Sequence, residues 1–308
     1  MPIEELNALV DSGEIDEFIR VCEARQRKTL SRIADDICAR KGVRVVLLAG
    51  GSSAGKTTTV TRLATQLRVN DARVTTLSTD DFFVGDARNP RDENGELDYE
   101  HVECVDIPRL CSDVNRLLAG ETIVRRRFDF VRHEGFDSDE KRSLPPGGIL
   151  LIEGIHALNP RLTDQIDEAV KYRVFIEPKT QLEVFGPVQL TSSDARLVRR
   201  IVRDNQFRRL PPEETFRLWP KVLEGERRWI DPFRPNADVE FDSALPYELS
   251  ILTLYARGLL ELCLRRQPDN ARAQSLAALL AAVHPSDPSK VPGDSILRET
   301  IGGSQLAY

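Results

Sequence analysis

VLLAGGSSAGKTTTV, residues Val46 to Val60, places three glycines and one lysine between an apolar run and a helix-like run. Gly50-x-x-x-x-Gly55-Lys56-Thr57 has the spacing of a phosphate-binding loop, in which bare backbone lets successive N–H groups curl around phosphate oxygens. The helix that follows turns its positive end toward the same anion. The expected nucleotide contacts are Gly50, Gly51, Ser52, Ser53, Ala54, Gly55, Lys56, Thr57 and Thr58. Lys56 would bridge the β- and γ-phosphates, and the Thr57 hydroxyl would join the shell of a Mg²⁺ ion, which prefers oxygen ligands. The competing reading is a Gly/Ser-rich turn with a solvated lysine, and the strand-loop-helix context argues against it.

Working outward, VRVVLLAGG reads as a buried parallel strand because it is apolar on both faces, and TTTVTRLATQLRVN reads as a helix. RVTTLSTDD, GGILLIEGIHAL, YRVFIEP and ADVEFDSAL have strand character, with IPRLCSDVNRLLAG a helix among them. The polar stretch FFVGDARNPRDENGELDYE reads as a long loop. This alternation predicts an α/β fold, a doubly wound parallel sheet flanked by helices, with ligands beyond the carboxyl ends of the strands. Residues 1–41 form a helical lead-in, 42–250 the nucleotide-binding domain with a helical lid at about 190–230, and 251–308 a helical extension. Ile296, Leu297 and Ile301 should dock the tail on the body.

The chain has 308 residues, a formal net charge of −6 and 30% charged residues. That balance argues against general affinity for nucleic acid or an anionic membrane surface, so any anion site must be local. The acidic, amphipathic N-terminus and the absence of any run of 18 apolar residues argue against a secretory signal or a membrane span. Five cysteines without C-x-x-C spacing predict free thiols and a cytoplasmic setting.

Two acidic strand tips carry the chemistry. Glu153 ends LLIEG, where an acid holds Mg²⁺ directly or through water. Asp80 and Asp81 end LSTDD, where an acid can accept a proton from an attacking hydroxyl or anchor metal. For each, helix capping is the structural alternative. Arg196, Arg199, Arg200 and Arg203 fall at i, i+3, i+4 and i+7, one basic helix face that either serves the transferring phosphoryl group or is solvated. Arg125, Arg126 and Arg127 leave the same two alternatives open.

These motifs, in the order GGSSAGKTT, LSTDDFF, YEHVECVD, FDFVRH, IEGIHAL and DARLVRRIVRD, resemble the uridine kinase and phosphoribulokinase family of P-loop kinases from about residue 43 to 250. RIVRDNQFR, WPKVLEGE and the tail SILRETIGGS are similar to the kinase portion of uridine-kinase-like proteins that often carry an N-terminal TGS region, for which this length leaves no room. The resemblance implies Asp80 as catalytic base, Thr57, Asp80 and Glu153 around Mg²⁺, and Arg196 and Arg199 as lid arginines beside Lys56. It also implies an acceptor site of Asp81, Glu100, Phe128 and His133, with Glu100 gripping a ribose diol. Phe128 stands where the family has a tyrosine, which puts pyrimidine selectivity in question. Residues 179–191 are longer than in compact relatives and would either reshape the acceptor pocket or make a homo-oligomeric contact.

The expected activity is ATP- and Mg²⁺-dependent phosphorylation of a primary hydroxyl on a nucleoside or related small molecule. A sugar phosphate or pantothenate-like alcohol is the alternative acceptor. From another class, a non-catalytic nucleotide-binding module remains; the N-K-x-D motif of a GTPase and the L-S-G-G-Q of an ABC-type ATPase are both missing.

Overall fold

The computed structural model describes residues 1–179 and 190–306. In chain order the elements are α1 (Ile3–Asp11), α2 (Ile15–Ala39), β1 (Val45–Ala49), α3 (Lys56–Val69), β2 (Val74–Ser78), α4 (Ile107–Leu118), β3 (Thr122–Asp129) and β4 (Glu134–Ser143). Then follow β5 (Ile149–Glu153), α5 (Pro160–Thr163), β6 (Lys171–Glu177), α6 (Ser192–Arg208), α7 (Pro212–Trp229), β7 (Val239–Asp242), α8 (Glu248–Arg266), α9 (Ala271–Ala281) and α10 (Arg298–Ile301).

Five strands pair in the order β2-β5-β1-β6-β7, all parallel. The chain leaves β1 toward β2 and β5 on one side and later crosses to β6 and β7 on the other, so the connections diverge at β1. A crevice therefore opens at the carboxyl end of β1, which is where the glycine-rich loop begins. All five residues of β1 and of β5 are buried, as continuous apolar strands covered on both faces must be. Val46, Leu48, Leu151 and Val174 face α2 and α3, while Val45, Leu47, Leu150 and Ile152 face α4 and its neighbours. In α3 the buried Val60, Leu63, Ala64 and Leu67 recur at helical spacing.

A third apolar cluster lies among the helices, joining α1 and the start of α2 to α6, α7, α8 and α9. The tail docks as expected: Leu297 and Ile301 enter this cluster and Ile296 enters the one beneath the sheet. Each such side chain contributes about 1.5–3 kcal/mol of burial before the entropy of ordering the segment is subtracted.

Two features depart from the strand pattern read in the sequence. GGILLIEGIHAL is strand only over Ile149–Glu153, because Gly154 leaves the ladder at φ 157° and the chain turns away from the sheet. β3 and β4 form a separate antiparallel hairpin that the pattern does not announce. Its second strand, EGFDSDEKRS, is polar and mostly exposed, so no period-two alternation marks it. Residues 180–189, most of the stretch weighed for acceptor-pocket or subunit contact, lie outside the described residues. Among the described residues no helix is long and apolar enough to cross a membrane.

Candidate active site

The loop is shaped by backbone that most residues avoid. Gly55, immediately before α3, has φ 88°, and Ser53 has φ 59°. A β-carbon on Gly55 would be strained at that angle and would also collide with Ile296. Gly55 offers no side-chain cap, so the first N–H groups of α3 are left for another acceptor. Lys56 folds its ammonium back over the loop, donating to the Gly51 carbonyl at 3.1 Å.

Side chains from distant elements close on this loop. Arg196 donates to the Ser52 carbonyl at 2.8 Å and to Glu226 Oε2 at 2.8 Å, while Arg200 donates to the Ser52 hydroxyl at 2.9 Å. Glu226 Oε1 in turn accepts the Ser52 N–H at 3.3 Å, and Glu299 Oε1 accepts the Thr58 N–H. Arg199 donates to the Ser53 carbonyl at 3.4 Å, but its guanidinium is chiefly engaged with the buried Glu248 carboxylate and the Ser243 carbonyl. The basic face of α6 is thus not solvated: Arg196, Arg199 and Arg200 are all buried. α6 is held in place by a capping box, Thr191 accepting the Asp194 N–H and Asp194 accepting the Thr191 N–H.

Across the crevice the registers Leu48↔Glu153 and Ser78↔Glu153 set the tips of β1, β5 and β2 side by side. The Ser78 hydroxyl donates to Glu153 Oε1 at 2.6 Å and accepts the Asp80 N–H at 3.3 Å, which turns the chain into a short 3₁₀ segment, Thr79–Phe82. Burial raises the pKa of Glu153, with the Asp80 charge adding to the shift and Lys56 opposing it. Asp80 Oδ1 is buried without a hydrogen-bond partner.

Ser78, Asp80 and Glu153 bring oxygen atoms together at the strand tips. Among the described residues no three His, Cys, Asp or Glu side chains converge as a metal cage.

The expected acceptor residues do not share one pocket. Glu100 lies in the cleft between the loop and α7: its β-carbon packs on Gly225, its Oε2 is buried without a partner, and Arg200, Glu226 and Lys56 act on its charge. Desolvation pushes its carboxyl up to about 7. Phe128 joins Phe83 and Phe130 in an edge-to-face trio with centroids 5.1 to 6.2 Å apart. Asp81 sits under the hairpin, 3.9 Å from Arg125, and its carboxyl is raised by burial against the pull of that arginine. His133 stands apart from these, at the hairpin turn, where its Nδ1 is 3.2 Å from the Tyr99 hydroxyl and from Asp86.

Sequence reading missed Ser78, Glu226, Glu248 and Glu299. Ser78 stands two residues before Asp80 and could have been found from the strand tip alone. The three glutamates reach their partners from 174, 49 and 241 residues away, and no local pattern marks them.

The chain is similar to several known proteins. Over 196 residues the chain is 26% identical to a uridine kinase of Deinococcus deserti, which covers 63% of this chain and 85% of that one. A uridine kinase of Lactobacillus helveticus is 27% identical over 63% of this chain and 84% of its own. A solved structure described as a possible uridine kinase from Bacillus stearothermophilus aligns at a TM-score of 0.49 and 19% identity, covering 71% of this chain and 100% of that one. The model of the phosphoribulokinase / uridine kinase family matches residues 45–246, about two thirds of the chain, and the protein belongs to that family of kinases.

Proposed function

We propose that the chain is an ATP- and Mg²⁺-dependent phosphotransferase acting on a primary hydroxyl of a nucleoside or a closely related small molecule. The observation that carries this reading is the buried, unpartnered Asp80 oxygen beside Lys56 and Glu153 at adjacent strand tips. A buried carboxylate oxygen without a partner costs stability, and an acceptor hydroxyl would satisfy it.

In this mechanism the loop N–H groups and Lys56 hold the phosphates, and Lys56 with Arg196 and Arg200 offsets charge that develops on the γ-phosphoryl oxygens. Thr57, Asp80 and Glu153 would hold Mg²⁺, which would supply positive charge to offset that of the phosphates. Asp80 orients the acceptor hydroxyl and takes its proton as oxygen attacks the γ-phosphorus and the bond to the bridging β–γ oxygen breaks. Glu100 accepts hydrogen bonds from a vicinal diol, for which two acceptor oxygens are suited. The edge-to-face phenylalanines offer an apolar wall to a planar base. The named relatives being uridine kinases supports a nucleoside acceptor. Five free cysteines suit a reducing compartment such as the cytoplasm.

A phosphorylated sugar is the second reading. Arg125, Arg127 and Arg142 gather within 2.7 to 3.9 Å of the exposed Glu140 carboxylate, a group that a phosphate could displace. ADP release measured over a panel of nucleosides, sugars and sugar phosphates tests both readings. Turnover with a nucleoside supports the first, turnover confined to phosphorylated sugars replaces it, and no turnover with any acceptor favours a regulatory nucleotide-binding role.

A further inference from the structure

The segment from Gly293 to Gly302 runs along the phosphate-binding loop. Asp294 pairs with Arg27 of α2 at 2.8 Å, and Ile296, Leu297 and Ile301 are buried. Ile296 presses on Gly55, so the segment touches the loop itself. Three residues later Glu299 turns its carboxylate to the start of α3 and accepts the Thr58 N–H, a bond spanning 241 residues of chain. Gly55 supplies no cap of its own, so a carboxylate from the far end of the chain occupies a donor that a phosphate-binding loop presents to its ligand. Glu299 also lies close enough to act on the Glu153 charge across the crevice.

We propose that the C-terminal segment is a built-in competitor of the nucleotide: Glu299 caps α3 in the nucleotide-free protein and must withdraw from Thr58 before a triphosphate seats. The inference rests on the nucleotide-binding reading above and adds regulation to that site. Two anions cannot share one N–H, and the Glu299 charge repels a triphosphate placed over Lys56 and Thr57. The contact and the nucleotide are therefore negatively coupled, and whatever draws the segment off the loop raises nucleotide affinity. Glu226, which accepts the Ser52 N–H, is held by Arg196 on α6, whereas Glu299 sits on a separate segment that follows a proline-rich connection.

Calorimetric titration of the full chain with Mg·ATP, comparing wild type, Glu299→Gln and Glu299→Ala, tests the proposal. Gln keeps the shape and a carbonyl acceptor but removes the charge, and Ala removes both. Expected is a Kd lower by about fivefold or more in both variants, within the range of coupling between sites. The Ala variant should melt at a lower temperature without nucleotide, and the deficit should vanish at saturating ATP, because the phosphates then take over the cap. In wild type, amide exchange over residues 293–302 should speed up when ATP is added. Unchanged or weaker binding by both variants, or slower exchange of the segment with ATP, overturns the competitor role while leaving nucleotide binding intact. Failure of all three proteins to bind ATP overturns the nucleotide-binding reading and the proposal together.

Discussion

The Ser78 hydroxyl donates to Oε1 of Glu153 at 2.6 Å and so joins the tips of β2 and β5. The same hydroxyl accepts the Asp80 N–H, so one side chain aims both acids at the crevice. Groups that orient a metal-holding carboxylate typically matter 10–100-fold in metal affinity. Ser78→Ala and Glu153→Gln should each raise the Mg²⁺ concentration for half-maximal turnover by about tenfold or more. A Mg²⁺ titration at saturating ATP is the check, and an unshifted midpoint in Glu153→Gln returns that residue to a purely structural role.

Lys56 donates to the Gly51 carbonyl at the loop and is only partly buried. Lys56→Ala should therefore abolish turnover while leaving the melting temperature within a few degrees of wild type. Wild-type turnover in this variant would remove the basis for placing phosphates on the loop.

Asp80→Asn should reduce kcat by about 10²–10⁴-fold, the usual contribution of general acid–base work, with little change in nucleotide Kd. Equal losses in kcat and in nucleotide affinity would show that Asp80 serves the nucleotide rather than the acceptor.

Glu100 carries a pH signature. Its carboxyl is raised from 4.5 to about 7 on folding, so the native state holds the proton more tightly than the unfolded chain. Stability from this group is fully present below pH 4.5 and is lost as pH rises toward 7. Glu100→Gln should therefore melt higher than wild type at pH 8, by an amount on the order of 2 kcal/mol or less, and show no advantage at pH 4.5. With a diol acceptor the same variant should raise KM more than it lowers kcat, since those bonds form in ground and transition states alike. Melting curves at the two pH values that ran parallel would refute the buried-acid description.

Arg199 and Arg200 separate stability from chemistry. Arg199 is 2% exposed and tied to Glu248, whose carboxyl is raised by burial and lowered again by Arg199. Arg199→Ala leaves that acid buried and unpaired and should cost about 3–5 kcal/mol. Arg200→Ala removes the bond to the Ser52 hydroxyl and should weaken nucleotide binding at a smaller cost in stability. Chemical denaturation beside nucleotide titration distinguishes them, and a stable, slow Arg199→Ala enzyme would restore Arg199 to the reacting phosphate.

What can be read locally was legible from the chain alone. The loop from Gly50 to Thr57, the buried strands β1 and β5, and acids at strand ends follow from backbone freedom, apolar runs and strand termination, all of which act within about ten residues. The parallel sheet follows from the alternation of strands and helices, and the docked tail from its three apolar residues. Tertiary structure decided which charges meet. Arg199 pairs with Glu248 while also reaching the Ser53 carbonyl of the loop, because α8 brings an acid into the core beside it. The second strand of the β3–β4 hairpin is polar and mostly exposed and so leaves no hydrophobic period to read. Glu226 and Glu299 reach the loop from other elements, and their positions depend on how α7 and the tail pack against α6, a matter of three-dimensional complementarity that no spacing in the sequence encodes.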